Sequence, residues 1–184
     1  MLKLYSYILS FFFVLVFSSC GEDPSQWSEE SGKVQTVSQI RLVQSDEGLR
    51  DWMLTGDSAV YREEDSLLQI TGVKIVFYRN DLPESFVVSD TGSSDLVSGR
   101  TVLWGNVYAE NSEGRTLTTQ LLNWSDSLET FQTDCLVTFV IPESTGVTTL
   151  NGRGVILDTG LSAVGDITVE ESFTAVTTGE VPID

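Results

Sequence analysis

The sequence predicts an all-β domain with one elongated core, and three observations carry that reading. Three segments share one layout, an apolar strand interrupted by a glycine: WMLTGDSAVY then DSLLQITGVKIVFY, TVLWGNVYAE then LTTQLLNWSDSLETFQTDCLVTFV, and TTLNGRGVILD. Gly56, Gly105 and Gly152 mark equivalent points, 49 and 47 residues apart. A strand-turn-strand unit cannot bury its apolar face alone, so stacked copies share a core. Apolar and polar residues alternate with period two, and no segment holds a helical period long enough to form a helix. Composition is that of one globular domain, with 184 residues, 41% hydrophobic, and only four prolines.

Taken in order, the chain opens with Lys3 and an apolar run over residues 4–17. Fourteen residues fall short of the roughly 20 that span a bilayer, so residues 1–19 read as a lipoprotein-type signal peptide. Ser18-Ser19-Cys20 resembles a lipoprotein processing box, in which small residues admit the peptidase and the Cys20 sulfur receives diacylglycerol. Phe17 stands where Leu is usual. A plain signal peptide and an uncleaved membrane anchor are the alternatives. Residues 20–39 form a polar, acidic tether that self-repulsion extends, reaching about 60 Å at most. Trp27 within it either meets a partner or covers the nearby sheet edge.

Residues 40–184 form the β domain, with a first strand near residues 34–43 overlapping the tether's end. Residues 62–68 are too few for a helix and read as a turn, as does DTGSSD at 90–95. Along the strands, Val73, Ile75 and Phe77 share one face, as do Leu103, Gly105 and Val107, and Val137, Phe139 and Ile141. Such stripes form either the core of a closed sandwich or the lining of an accessible groove. Cys135 lies in the last stripe and reads as a buried structural cysteine, since nothing near it in sequence would activate a thiolate. NGRGVILD places Gly152 and Gly154 within a strand and lacks the helix a phosphate loop needs, so it predicts a bulge. Residues 166–178 read as one or two final strands whose edge, at Ile167, Thr168 and Val169, is offered to a partner strand or guarded by Glu170 and Glu171.

Chemistry is narrowed by what is missing. The chain has no histidine, which removes Ser-His-Asp and Cys-His catalysis and most zinc and iron sites. Asp57, Asp95, Glu110, Asp134 and Asp158 are available for acid-base work, but in a chain of net charge −17 each reads first as a solvated turn or edge residue. No catalytic residue, metal site or cofactor is assigned. Ten Lys and Arg against 27 Asp and Glu disfavour nucleic acid, whose binding rests on phosphate neutralisation.

The strands in order carry a resemblance. Trp52, Leu54, Gly56, Ala59 and Tyr61, then VKIVFY, then Leu103, Gly105, Asn106 and Val107, then LTTQLLNW, then TDCLVTF, then Gly152, Gly154 and Asp158 resemble the LptC family of lipopolysaccharide export proteins over about residues 40–167. The resemblance implies a twisted antiparallel β jelly roll, open at the ends, whose apolar groove carries the acyl chains of lipopolysaccharide or a related glycolipid. On this sequence the lining falls to Leu54, Val73, Ile75, Phe77, Leu103, Val107, Leu121, Val137, Phe139 and Ile141. It also implies partners: an inner-membrane ABC transporter of the LptBFG type, which delivers the lipid, and an LptA-like bridge protein, which receives it. It implies a place at the periplasmic face of the envelope, held by a membrane anchor. The lipid anchor expected at Cys20 departs from the single transmembrane helix usual in that family. Two other readings stand beside it: a lipid-binding lipoprotein of another envelope pathway, and a carbohydrate-binding lipoprotein using Trp104, Tyr108 and Trp124 as a platform.

Overall fold

Hairpin follows hairpin along the whole sheet. The computed structural model describes residues 34–64, 66–163 and the backbone of 171–179. It contains β1 (Val34–Asp46), β2 (Leu49–Arg62), β3 (Leu67–Arg79), β4 (Leu82–Asp95), β5 (Arg100–Asn111), β6 (Thr116–Ser125), β7 (Thr130–Glu143), β8 (Gly146–Asp158) and β9 (Glu171–Gly179). They form one antiparallel sheet in sequential order, β1 to β9, so the all-β antiparallel class expected from sequence is the one adopted. Two connections are two-residue turns with both residues at positive φ, Glu47-Gly48 and Asn80-Asp81, the geometry that matches strand twist.

Some boundaries differ from expectation. The sheet starts at Val34, which pairs with Arg62, so residues 34–39 belong to a strand rather than to the tether. The turn expected at 62–68 is confined to the residues between Arg62 and Leu67. DTGSSD is strand, not turn: Thr91 pairs with Thr71 on one side and Trp104 on the other. Its small residues suit a crowded position, since a Cβ on Gly92 would lie 3.0 Å from Val73 Cγ2 and 3.1 Å from Leu103 Cδ2. Only Asp95 turns the chain, by accepting bonds from the Ser98 hydroxyl (2.7 Å) and the Val97 and Ser98 N–H groups (2.9 and 3.2 Å). These bonds, the hydroxyl's first, hold its carboxyl below the usual range. What they add to stability is present above the ordinary carboxylate range and fades as pH falls through the depressed value.

A band of irregular pairing crosses the middle of the sheet. Register shifts between Val88 and Thr91 in β4, between Trp104 and Val107 in β5, and between Thr119 and Asn123 in β6. It lapses again between Thr133 and Leu136 in β7 and between Asn151 and Arg153 in β8. Bulges bend strands and increase twist. Gly105 and Gly152 lie in this band, and Gly56 lies level with it, where the β2–β3 pairing skips Gly56 and Asp57 without a shift in register. Gly105 sits at φ +77° with the Asp90 carboxylate against it, and the neighbouring Asn106 Nδ2 donates to Asp90 Oδ2 at 2.8 Å. Gly72, at φ +61°, meets the Asp57 carboxylate in the same way. Gly56 has an ordinary φ and is required by space alone, because its Cβ would lie 2.3 Å from Ile70 Cγ2 in the core.

Bending brings distant strands together. In a sequential meander the start of β2 and the end of β3 lie at one end of the strands, and the end of β6 and start of β7 at the other. Yet Trp52 and Phe77 each meet Trp124 edge-on, at 5.2 and 5.1 Å between ring centroids, and Phe77 meets Phe131 at 5.3 Å. The sheet therefore coils diagonally over itself, and its inner face becomes a single apolar core.

Gly56→Ala should destabilise the protein by about 1–3 kcal/mol through overpacking against Ile70. Thermal denaturation followed by circular dichroism tests this, and an unchanged midpoint would show that the band is not tightly packed at Gly56.

Candidate functional site: the apolar interior

The inward stripes converge. Leu54, Val73, Ile75, Phe77, Leu103, Val107, Val137 and Phe139 all lie in one buried cluster, none more than 6% exposed. Each such side chain is worth about 1.5–3 kcal/mol of burial. Ile141 is half-buried and packs against the cluster. Leu121 does not join it: the register lapse between Thr119 and Asn123 shifts the phase, so Leu122 is fully buried and Leu121 pairs beside Trp104 on the opposite face. Cys135, expected inside, is half-buried in the bulge of β7, where its N–H donates to Thr133 Oγ1 at 3.1 Å.

Burial is graded across this interior. Trp124, Phe131, Leu157 and Leu161 are 0–3% exposed, as fully buried as Ile70, Ile75, Leu103 and Leu122. Residues 159–163, after β8, seal the interior there. Leu161 is fully buried at φ +59°, and Asn111 Nδ2 donates to the Gly160 carbonyl at 2.8 Å. Ser162 N–H donates to Asp158 Oδ1 at 2.7 Å, and the Ser85 hydroxyl donates to the Thr159 carbonyl. Sequence reasoning missed Leu161, a lone leucine between Gly160 and Ser162 that offers no periodicity to read. Elsewhere Ile40, Leu42, Trp52, Tyr61, Ile141 and Leu150 are only partly buried against the core. They belong to β1 and β2 and to β7 and β8, so the less complete burial lies toward the two margins of the sheet.

The carboxylates offered by the sequence are occupied structurally. Asp57 presses on Gly72, Asp95 and Asp158 close turns, and Glu110 accepts the Tyr108 hydroxyl at 2.8 Å, which raises the phenol's pKa; Asp134 is the exception, engaged only through its backbone carbonyl, which accepts from Arg153 Nη1 at 3.4 Å. The aromatic platform is not assembled: Trp104 and Tyr108 share the outer face, half-buried, whereas Trp124 is 3% exposed within the core. Among the described residues, no three His, Cys, Asp or Glu side chains converge on a metal position. Cys20 and the edge residues Ile167, Thr168 and Val169 lie outside the described residues.

A bent antiparallel sheet around an apolar interior is the frame against which the chain was compared with known families. The family described as lipopolysaccharide-assembly, LptC-related, matches residues 7–155, well over half of the chain. The chain belongs to the LptC family. Its role accordingly lies in lipopolysaccharide transport, and the family's place is the periplasmic side of the cell envelope. Comparison with curated proteins returned no match. The LptC match covers β1 to most of β8, the part of the chain that encloses the core.

Leu161→Ala should cost about 2–5 kcal/mol, because it empties a fully buried site. Leu128→Ala, at a position 71% exposed, should leave stability unchanged within about 0.5 kcal/mol. Urea unfolding of the two variants checks this, and equal midpoints would show that residues 159–163 do not seal the core.

Proposed function

We propose that this LptC-family protein takes lipopolysaccharide, or a related glycolipid, from an inner-membrane ABC transporter of the LptBFG type and passes it to an LptA-like bridge protein. The observation that carries the proposal is the grading of burial in a predominantly apolar interior: sealed by Leu161 at one place and only partly covered at Ile40, Leu42, Ile141 and Leu150. Acyl chains entering between these four residues replace water-exposed methylenes by apolar contact, at about 0.8 kcal/mol per CH2. The eight buried positions are the lining such chains reach. A net charge of −17 disfavours phosphates on the outside, which leaves the apolar part of the lipid to supply the binding energy.

Handover uses a sheet edge. The proposed receiving edge comprises Ile167, Thr168 and Val169 together with β9, to which a partner strand adds by main-chain hydrogen bonding. The protein is held at the membrane by diacylglycerol on Cys20, with residues 21–33 leading to β1.

Photo-crosslinkers at Ile141 and Leu150 should capture glycolipid in cells, whereas those at Lys74 and Thr138, on the outer face, should not. Equal labelling of both faces would rule out an interior carrier. Cys20→Ala should leave a slower-migrating precursor and abolish the acyl mass found on the wild-type N-terminus; identical processing of the two would exclude lipidation.

A further inference from the structure

The outer face of the sheet is not uniformly polar. One register row runs Val43, Met53, Val76 and Phe86 across β1 to β4, on the side opposite Leu42, Leu54, Ile75 and Val87 of the interior. A sheet that packs one face on its core is ordinarily polar on the other. That pattern holds farther along, where Thr118, Thr138 and Asn151 pair in turn on β6, β7 and β8. It fails in β3 and β4, where Val76 and Phe86 face outward between the buried Ile75, Phe77 and Val87.

Here the outer face is also hollowed. A cleft of about 410 Å³ is walled by Val76, Tyr78, Pro83 and Phe86, with Lys74 among its lining residues. That is room for one small molecule. Its charged groups are unequal. Glu84 holds Arg79 at 2.7 Å, and Glu110 accepts the Tyr108 hydroxyl at 2.8 Å. Two uncharged polar groups are engaged as well, since Asn111 Nδ2 donates to the Gly160 carbonyl and the Ser85 hydroxyl to the Thr159 carbonyl. The Lys74 ammonium lies over the Phe86 ring, 5.1 Å from its centroid, and has no hydrogen-bond or ion-pair partner among the described residues. Arg41 stands on the same register row, two strands away through Thr55, and it too has no ion-pair partner among the described residues.

An unpaired ammonium beside an apolar, aromatic wall recognises an anion that carries an apolar body. The charge of that anion is limited. Glu84 and Glu110 line the same cleft and the chain carries −17, so a phosphate dianion meets more repulsion than a single carboxylate does. We propose that this outer-face cleft binds a small apolar monocarboxylate. Its carboxylate takes charge-assisted hydrogen bonds from Lys74 Nζ, and its body lies against Val76, Pro83 and Phe86. The cleft is on the face opposite the core, so the site is independent of the carrier role proposed above.

The test is calorimetric titration of the full-length protein in phospholipid nanodiscs, with empty nanodiscs subtracted. Physiological ionic strength screens distant acidic residues within about 8 Å. Phenylpropionate should bind. Phenylpropanamide and phenylpropylamine, which keep the body and lose the anion, should bind at least about tenfold more weakly, the effect of losing a charge-assisted hydrogen bond. Lys74→Gln should weaken phenylpropionate to the level of the amide, and Lys74→Arg should retain it. Circular dichroism should show both variants folded, since the Lys74 side chain is exposed and has no ionic partner among the described residues. A diazirine-bearing phenylpropionate should label peptides from β3 and β4 and not those from β6 to β8. Equal binding of acid and amide, no binding of the acid, unchanged affinity in Lys74→Gln, or labelling confined to other strands would each overturn the proposal.

Discussion

Everything in this fold depends on the band of broken register across β4 to β8. A nine-stranded sheet in sequential order has two faces and two free margins, and a flat version would leave its apolar face in water. Concentrating irregularities at one level of β4 to β8 lets the sheet coil until Trp52 reaches Trp124 and Phe77 reaches Trp124 and Phe131. Side-chain carboxylates maintain the bend: Asp57 lies over Gly72 and Asp90 over Gly105, each glycine at a positive φ that an L side chain rarely adopts. The protein thus holds its bend with local polar pairs and its closure with aromatic edges.

That arrangement separates two chemistries. Inside, the buried cluster from Leu54 to Leu161 is apolar, apart from hydroxyls such as Thr101 and Thr133 that stay close to the backbone. Outside, 27 acidic residues against ten basic ones set a field that repels phosphates and draws cations. For a member of a lipopolysaccharide-transport family, such a body pairs an apolar interior with a surface that repels anionic groups.

Much of the fold was legible because β structure writes itself with period two. Val73, Ile75 and Phe77 alternate strictly in β3 and are all buried, and the same holds for Leu103 and Val107 on either side of Gly105. Legibility failed where the period breaks. Leu121 was read one step out of phase because nothing in TTQLLNW reveals the lapse in pairing with β7, which turns Leu122 inward instead. Local composition misled in DTGSSD, whose turn-forming residues are held in a strand by neighbours on both sides. Trp124 could not be told apart from Trp104 and Tyr108 as a surface aromatic, since burial of an indole depends on what lies across the fold.

The sequence by itself determined the all-β class, the glycine positions of the bend, the faces of the regular strand segments, and, through the order of its strand motifs, the family. These are properties of local stereochemistry and of spacing along the chain. Tertiary structure alone decided that the sheet closes diagonally, that Leu161 seals one place while Ile40, Leu42, Ile141 and Leu150 remain partly uncovered, and that Asp51, Asp126 and Glu129 gather around an aromatic wall. Asp51 and Glu129 stand 78 positions apart, and Ile40 and Leu161 stand 121 apart. Only the accumulated twist and bending of intervening strands brings them together, and no local pattern encodes that sum.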